Sequence, residues 1–312
     1  MSEIFGAETT TDDLLDGLDL TGFHVFVTGV SSGLGLETAR SFAARGARVT
    51  GAARNLGKAR EALSRSPAVK LVELELASLR SVRNCADALL ADGEPFDVAI
   101  ANAGVMACPQ GKTVDGFETQ FGTNHLGHFL LINRIAPLLR QDARVVVVSS
   151  GAHHFADVDL DDPNFERTPY QEFVSYGRSK TANILFAVEF DRRHRSEGVR
   201  ATALNPGAIM ETELARHLTP ALAGQVQASL KASEDRGAPI RFKTVRQGAA
   251  TSVWAAVAAS ADDIGGHYCE DCDVAEVAVD EGALFGVRGY ALDPDRAKAL
   301  WALSEQMVGE RF

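Results

Sequence analysis

Four cysteines in 312 residues, at positions 85, 108, 269 and 272, are too few to build a disulfide framework, and they point to a reducing compartment, the cytoplasm. No apolar run approaches the roughly 20 residues that a membrane-spanning helix needs. The opening residues, MSEIFGAETTTDDLLDGLDL, lack the basic stretch followed by an apolar one that marks a secretory signal. They read instead as a short N-terminal extension, residues 1–20, with a capped helix leading into the domain. A net charge of −11, with the acidic residues dispersed, argues against nucleic acid or an anionic membrane as a partner. Nor is there a repeat, a low-complexity linker or a second alternating block. One domain is expected over residues 21–312.

What is present is a rhythm. Short β-branched runs alternate with longer helical stretches from residue 23 onward. HVFVTG (24–29), ARVTGA (47–52), VKLVELEL (69–76), FDVAIANAG (96–104), RVVVVSS (144–150) and VRATALNPG (199–207) read as strands. RVVVVSS is almost solidly valine, as expected of a strand buried on both faces. Phe117, Phe121, Phe129 and Ile132 fall at helical spacing between Gly116 and Leu139, and a further helix is expected from about Tyr170 to Arg195. This pattern predicts an α/β fold of the Rossmann type: doubly wound, with a mostly parallel sheet of about seven strands and helices on both faces. Two segments break the rhythm, 151–172 and 208–244. Both follow the C-terminal ends of strands, where open α/β sheets bind ligands, so both are expected to be substrate loops.

Four motifs carry chemistry. In FVTGVSSGLGLETA (26–39), Gly29, Gly33 and Gly35 let the chain turn tightly off the first strand and approach a pyrophosphate at a helix N-terminus. The same letters, GVSSG, satisfy G-x-S-x-G, with Ser31 as a hydrolase nucleophile. A hydrolase elbow follows several strands rather than the first, which counts against that reading. In SYGRSK, Tyr176 and Lys180 lie four apart on one helical face. A lysine ammonium beside a tyrosine favours the phenolate and should lower the tyrosine's pKa towards neutrality. Ser149 and Ser150 end a buried strand, where a hydroxyl can donate to a developing oxyanion. Asn102 in ANAG, and Asn124 inside the apolar helix GTNHLGHF, need partners for their amides. Two weaker features remain open. CEDC (269–272) has the spacing of a metal or redox pair, but no second pair accompanies it, so a loop role and no metal are expected. His153 and His154 follow Ser150 and either line the substrate site or belong to the surface.

In order, TGVSSGLG, NAG, Asn124, Ser150, YGRSK and NPG resemble the signatures of the short-chain dehydrogenase/reductases, over residues from about 20 to 260. IANAGVM, FGTNHLGHFLL, VVVVSSGAHHF and YCEDCD are similar to bacterial members of the branch containing the retinol dehydrogenases and the WW-domain oxidoreductase. The resemblance implies a reversible hydride transfer between a nicotinamide cofactor and an alcohol or carbonyl carbon of a small, partly apolar substrate. It implies Tyr176 as the acid/base, Lys180 as the group that lowers its pKa and bonds the nicotinamide ribose, Ser150 as the carbonyl-polarising hydroxyl, and Asn124 as holder of a water linking Lys180 to solvent.

By the same resemblance, Gly29, Ser31, Ser32, Gly33, Leu34 and Gly35 would cradle the phosphates. Glu75 and Leu76 would lie by the adenine, Asn102, Ala103 and Gly104 along the adenosine side, and Pro206, Gly207 and Ile209 against the nicotinamide. Three departures stand out: Glu75 where the family usually has Asp, ANAG for NNAG, and Thr212 one residue late, which leaves its carboxamide contact open. After the second strand GAARN offers no acid for a ribose 2′-hydroxyl but does offer Arg54 for a 2′-phosphate, so NADP(H) is expected over NAD(H). A homodimer or homotetramer pairing through the helices near Gly116 and Tyr170 is a further expectation. Outside this class stand a serine hydrolase using Ser31 and a non-catalytic NADP-binding sensor.

Overall fold

The structure of the protein, a computed structural model, describes residues 5–66, 69–235, 240–279 and 285–312. Residues 1–4 of the N-terminal extension and 236–239 of the second substrate loop therefore lie outside the described residues. Eight strands form one sheet: β1 (His24–Thr28), β2 (Arg48–Ala53), β3 (Val69–Glu73), β4 (Phe96–Ala101), β5 (Leu139–Val148), β6 (Arg200–Asn205), β7 (Tyr268–Glu270) and β8 (Asp273–Val274). Their order is β3-β2-β1-β4-β5-β6-β7-β8. The pairs from β3 through β7 are parallel, and the two-residue β8 runs antiparallel to β7. The chain winds outward one way from β1 to β3 and the other way from β4. The β1/β4 boundary is thus the switch point, with a crevice beyond its C-terminal ends.

The period-two alternation of the central strands sorts their side chains between two cores. Phe26, Ala99, Val145 and Val147 face one side; Val25, Val27, Val98, Ile100, Val146 and Val148 face the other. Helices cover both faces, as Val-rich strands without a polar side require. Leu14 and Leu15 of the short helix Thr11–Leu15 are buried in the second core. Thr11 Oγ1 donates to Glu37 Oε1 at 2.9 Å, which ties the N-terminal segment to the helix Gly33–Ala44.

Two helical segments differ from expectation. The stretch after Gly116 is helical from Thr119, with a π-helical turn over Gly122–Leu126 before the regular helix Gly127–Ile135. Inserting a wider turn lets an α-helix re-aim one side chain, and Asn124 sits inside it. The supposedly irregular segment 208–244 contains a 3₁₀ turn, Glu213–His217, and the helix Pro220–Asp235. That helix gave a weak pattern: among its described side chains, Leu222 alone is placed in the core.

The outer faces of the helices Gly127–Ile135 and Glu172–His194 are covered by the chain's own C-terminal helix, Pro294–Val308. Trp301, 2% exposed, stacks on Phe186 and lies edge-on to Phe129 with centroids 5.0 Å apart; the Arg193 guanidinium sits 4.2 Å from its ring. Among the described residues, no helix is long and apolar enough to cross a membrane. Trp301→Ala should lower the unfolding free energy by about 3–5 kcal/mol, read by urea denaturation. An unchanged midpoint would show that the C-terminal helix stands outside the cooperative unit.

Candidate active site

The turn after β1 leads into the helix Gly33–Ala44. Its N-cap, Ser32, makes no side-chain capping bond, in contrast to Asn55 and Ser78, which cap the helices behind them. The first N–H groups of this helix are therefore left for an anion. Gly35 has no room for a side chain: a Cβ there would lie 2.4 Å from Asn102 Nδ2, which itself donates to the Thr28 carbonyl at 2.8 Å. Beyond the turn opens a cavity of about 1460 Å³. Every residue assigned above to the cofactor lines it except Gly35, which packs one layer behind. No histidine lines it, and Ser31 is absent from the residues with left-handed backbone. A hydrolase elbow needs both features, so the structure offers Ser31 no such role.

Beneath the cavity, Thr28 Oγ1 accepts the N–H groups of Asn102 and Ala103, both at 3.0 Å, and contacts His128 Nε2 at 2.9 Å. His128 Nδ1 lies 2.9 Å from the Asn124 carbonyl, which can only accept. Burial pushes the His128 pKa down to about 4, so its ring is neutral, with the proton on Nδ1. Thr28 must then donate to Nε2. Asn124 closes the circuit. Its Oδ1 accepts the Val105 N–H at 2.8 Å, and its Nδ2 donates to the Val105 carbonyl at 2.9 Å and to Ser179 Oγ at 3.0 Å. This amide is a clamp between the NAG turn and the helix of Tyr176. Thr28, His128 and Ser179 were not singled out from the sequence. The available signal was polar residues embedded in apolar runs, HVFVTG and TNHLGHF.

Ser150, Tyr176 and Lys180 meet at the C-terminal edge of β5. Gly177 makes this possible: a Cβ there would lie 2.7 Å from the Ala152 carbonyl, so only glycine lets the Ser150 turn rest on the helix. His153, fully buried, holds that turn from behind. It donates from Nδ1 to the Ser150 carbonyl at 2.8 Å and accepts the Arg288 N–H at Nε2, 3.2 Å. Burial pushes its pKa down to about 3. Neither His153 nor His154 lines the cavity.

Lys180 Nζ donates to the Val148 carbonyl at 2.9 Å and lies 5.7 Å from the Tyr176 ring centre. Burial pulls its pKa down to about 7. Tyr176 moves opposite to expectation. Burial pushes its hydroxyl up to about 12, only partly offset by a hydrogen bond with Ser150. Desolvation penalises the charged form of each residue, so both are pushed towards neutrality.

The cysteine pair is not thiolate-like. Cys269 on β7 and Cys272 just beyond it are buried free thiols, and burial pushes their pKa values up to about 12 and 11. Among the described residues, no group of three His, Cys, Asp or Glu is placed to hold a metal ion.

Residues 23–223 match the family model of the short chain dehydrogenases. The chain belongs to the short-chain dehydrogenase/reductase family. It is 39% identical to the short-chain dehydrogenase/reductase prx1 of Penicillium roqueforti, over 97% of this chain and 91% of that one. It is 38% identical to human retinol dehydrogenase 14, over 92% and 87%. The human WW domain-containing oxidoreductase is 37% identical, over 99% of this chain and 73% of that one. A crystal structure of an uncharacterized protein from Mycobacterium paratuberculosis superposes with a TM-score of 0.74 at 35% identity, covering 96% of this chain and 98% of that one. A short chain dehydrogenase from Burkholderia cenocepacia, solved in complex with NADP, shares the fold with a TM-score of 0.63 at 21% identity, over 81% and 98%.

This short-chain dehydrogenase/reductase is thus an oxidoreductase of a family that uses a nicotinamide cofactor and acts on alcohol and carbonyl carbons. Its residues fit such a cofactor: an uncapped helix start, a glycine turn with no space for side chains, and a long cavity along the switch point. Burial of Lys180 generates a prediction that needs no substrate. Unfolding restores an ordinary lysine pKa of about 10.4. Between that value and about 7 the unfolded chain holds a proton that the folded chain has lost, so stability rises with pH there. The burial penalty is fully in force below pH 7. Measured by urea denaturation, the stability of the natural protein relative to Lys180→Met should rise from pH 7 to 9.5. A flat difference would mean that Lys180 titrates like an exposed lysine.

Proposed function

We propose that the protein is an NADP(H)-preferring oxidoreductase that interconverts a carbonyl and an alcohol on a bulky, partly apolar small molecule. The observation that carries this is the convergence of Ser150, Tyr176 and Lys180 at the wall of the cavity that begins at the uncapped helix Gly33–Ala44. A nicotinamide cofactor, when bound, supplies or takes up the hydride. The chain's own residues handle the proton and the oxygen. Tyr176, held as the neutral phenol, donates its proton to the substrate oxygen in reduction, while the Ser150 hydroxyl donates a hydrogen bond to the same atom as charge develops. Lys180, poised near neutrality, supports the resulting phenolate and returns a proton to it. Reduction starts from the protonation state the site already favours. Alcohol oxidation needs the phenolate and should gain as pH rises.

Substrate size and polarity follow from the mouth of the cavity. Phe155, Met210, Phe242 and Phe285 are exposed large apolar residues on its lining. Such a rim suits an apolar body with a single reactive oxygen, in keeping with the alcohol in the name of the human relative retinol dehydrogenase 14. Cofactor preference is supported by Arg54 at the end of β2, where no acid stands to bond a 2′-hydroxyl. Arg54 meets Glu75 at 3.4 Å, an exposed pair that a phosphate can displace.

Aryl ketones, aldehydes, steroids and retinoids should be screened with NADPH and NADH, following the reduced-nicotinamide absorbance. Tyr176→Phe should abolish most turnover while leaving NADPH affinity nearly intact. Ser150→Ala should lower kcat by about 10²–10³-fold. Arg54→Ala should narrow the preference for NADPH. A Tyr176→Phe protein with natural kcat, or equal or better kcat/KM with NADH in the natural protein, would overturn the corresponding part.

A further inference from the structure

The acids of CEDC, rather than its cysteines, face the cavity. Glu270 ends β7, Asp271 follows it, and both line the wall beside the turn 205–207 that leaves β6. Asp271 and Cys272 join β7 to β8, and both have left-handed backbone, with φ of 52° and 59°. Such a turn ordinarily takes asparagine and glycine, so a cysteine there is strained. The core fixes it: the Cys272 side chain is buried, and its N–H donates to Thr251 Oγ1 at 3.3 Å. What this conformation delivers is the Asp271 carboxylate at the cavity wall, where it accepts from Lys243 Nζ at 2.5 Å. Strained backbone of this kind concentrates at functional sites.

Lys243 comes from the far end of the 208–244 segment, and its side chain is only 8% exposed. Its backbone N–H donates to the Ala208 carbonyl at 2.8 Å, beside the bridge between Ala208 and Phe242. Its stem lies on Gly207. A Cβ on that glycine, whose φ is +86°, would stand 2.9 Å from Lys243 Cδ and 3.1 Å from Cε. The turn is held from the other side as well. Asn205 Oδ1 accepts the Gly207 N–H at 3.0 Å, and the Asn205 side chain is hydrogen-bonded to Glu270. Glu270 Oε1 in turn accepts the Gly286 N–H at 2.7 Å. Both acids of the motif therefore reach the same turn, Glu270 through Asn205 and Asp271 through Lys243.

We infer that Lys243, anchored by Asp271, is a positioning residue for the turn 205–207, fixing the backbone against which the nicotinamide rests. The inference rests on the cofactor reading above and deepens it. A left-handed glycine is free to leave its conformation unless something covers it, and the lysine stem is that cover. The stem stays only while its buried ammonium keeps a counter-charge, which Asp271 supplies. The adenosine end of the cavity is built from β1, β2 and β4 and touches none of these groups. Loss of the clamp should therefore be felt at the nicotinamide end alone.

The test is calorimetric titration of the full chain with NADPH and with 2′-phospho-ADP-ribose, the same molecule without its nicotinamide. NADH and ADP-ribose form a second such pair. Lys243→Met keeps most of the stem and drops the charge. It should weaken the dinucleotide about three- to tenfold and leave its nicotinamide-free partner within about twofold. Asp271→Asn should do the same, and the two changes together should cost no more than either alone, because each breaks one clamp. Lys243→Arg should restore most of the affinity. Without nucleotide, amide hydrogen exchange should speed at Gly207 in Lys243→Met and stay unchanged at the glycine turn after β1. Retained binding of the nicotinamide-free ligand shows that the variants fold. If the natural protein binds neither NADPH nor NADH, the cofactor reading falls and this inference with it. If a dinucleotide binds, but Lys243→Met leaves it untouched or weakens both members of the pair equally, only the positioning role falls. An Asp271→Asn protein of natural affinity beside a weakened Lys243→Met overturns the anchor.

Discussion

Thr28 ends β1 fully buried, and a hydroxyl there must satisfy itself inside the protein. It does so by accepting the two N–H groups that begin the turn after β4 and by donating to His128. The ring passes the direction on to the Asn124 carbonyl, and the Asn124 amide clamps Val105 and Ser179. One chain of bonds thereby connects the strand that carries the phosphate turn, the turn along the adenosine side, the π-helical kink and the helix of Tyr176 and Lys180. Removing any single partner would leave a buried donor or acceptor unmatched, at a cost of about 1–3 kcal/mol. The polarity of the chain leaves no alternative tautomer, so the geometry is held in one state.

Around this network the reacting side chains are buried, and that burial sets their chemistry. Lys180 and Tyr176 are both desolvated, so each is pushed towards its neutral form. The tyrosine is thereby kept as a proton donor and the lysine is left able to exchange a proton near neutral pH. The contact that makes Tyr176 and Ser150 neighbours is itself steric: Gly177 lets the Ser150 turn touch the helix, and His153 braces that turn from the other side.

The two sides of the cavity are built differently. The cofactor side is strand ends, short turns and buried hydrogen bonds. The mouth includes Phe155, Met210, Phe242 and Phe285, which present apolar side chains to solvent. A scaffold that places the reacting groups and loops that line the substrate mouth are the usual division of labour on an α/β fold. Elsewhere, the helix carrying Trp301 packs its indole against Phe129 and under the Arg193 guanidinium.

Hydrophobic periodicity by itself determined the parallel sheet, because strands such as Val145–Val148 must bury both faces and only covering helices can do that. Motif order located the glycine turn, Ser150, Tyr176 and Lys180, since each lies at the end of a strand or on one face of a helix, where local spacing already implies proximity. The tertiary structure alone decided the rest. The helix Pro220–Asp235 gave no strong pattern: among its described side chains, Leu222 alone is placed in the core. The upward shift of Tyr176 was unreadable because desolvation depends on what surrounds a group, not on the lysine four residues away. Thr28 with His128, and Lys243 with Asp271, are separated by 100 and 28 positions, and no local rule pairs residues that only the fold brings within a hydrogen bond.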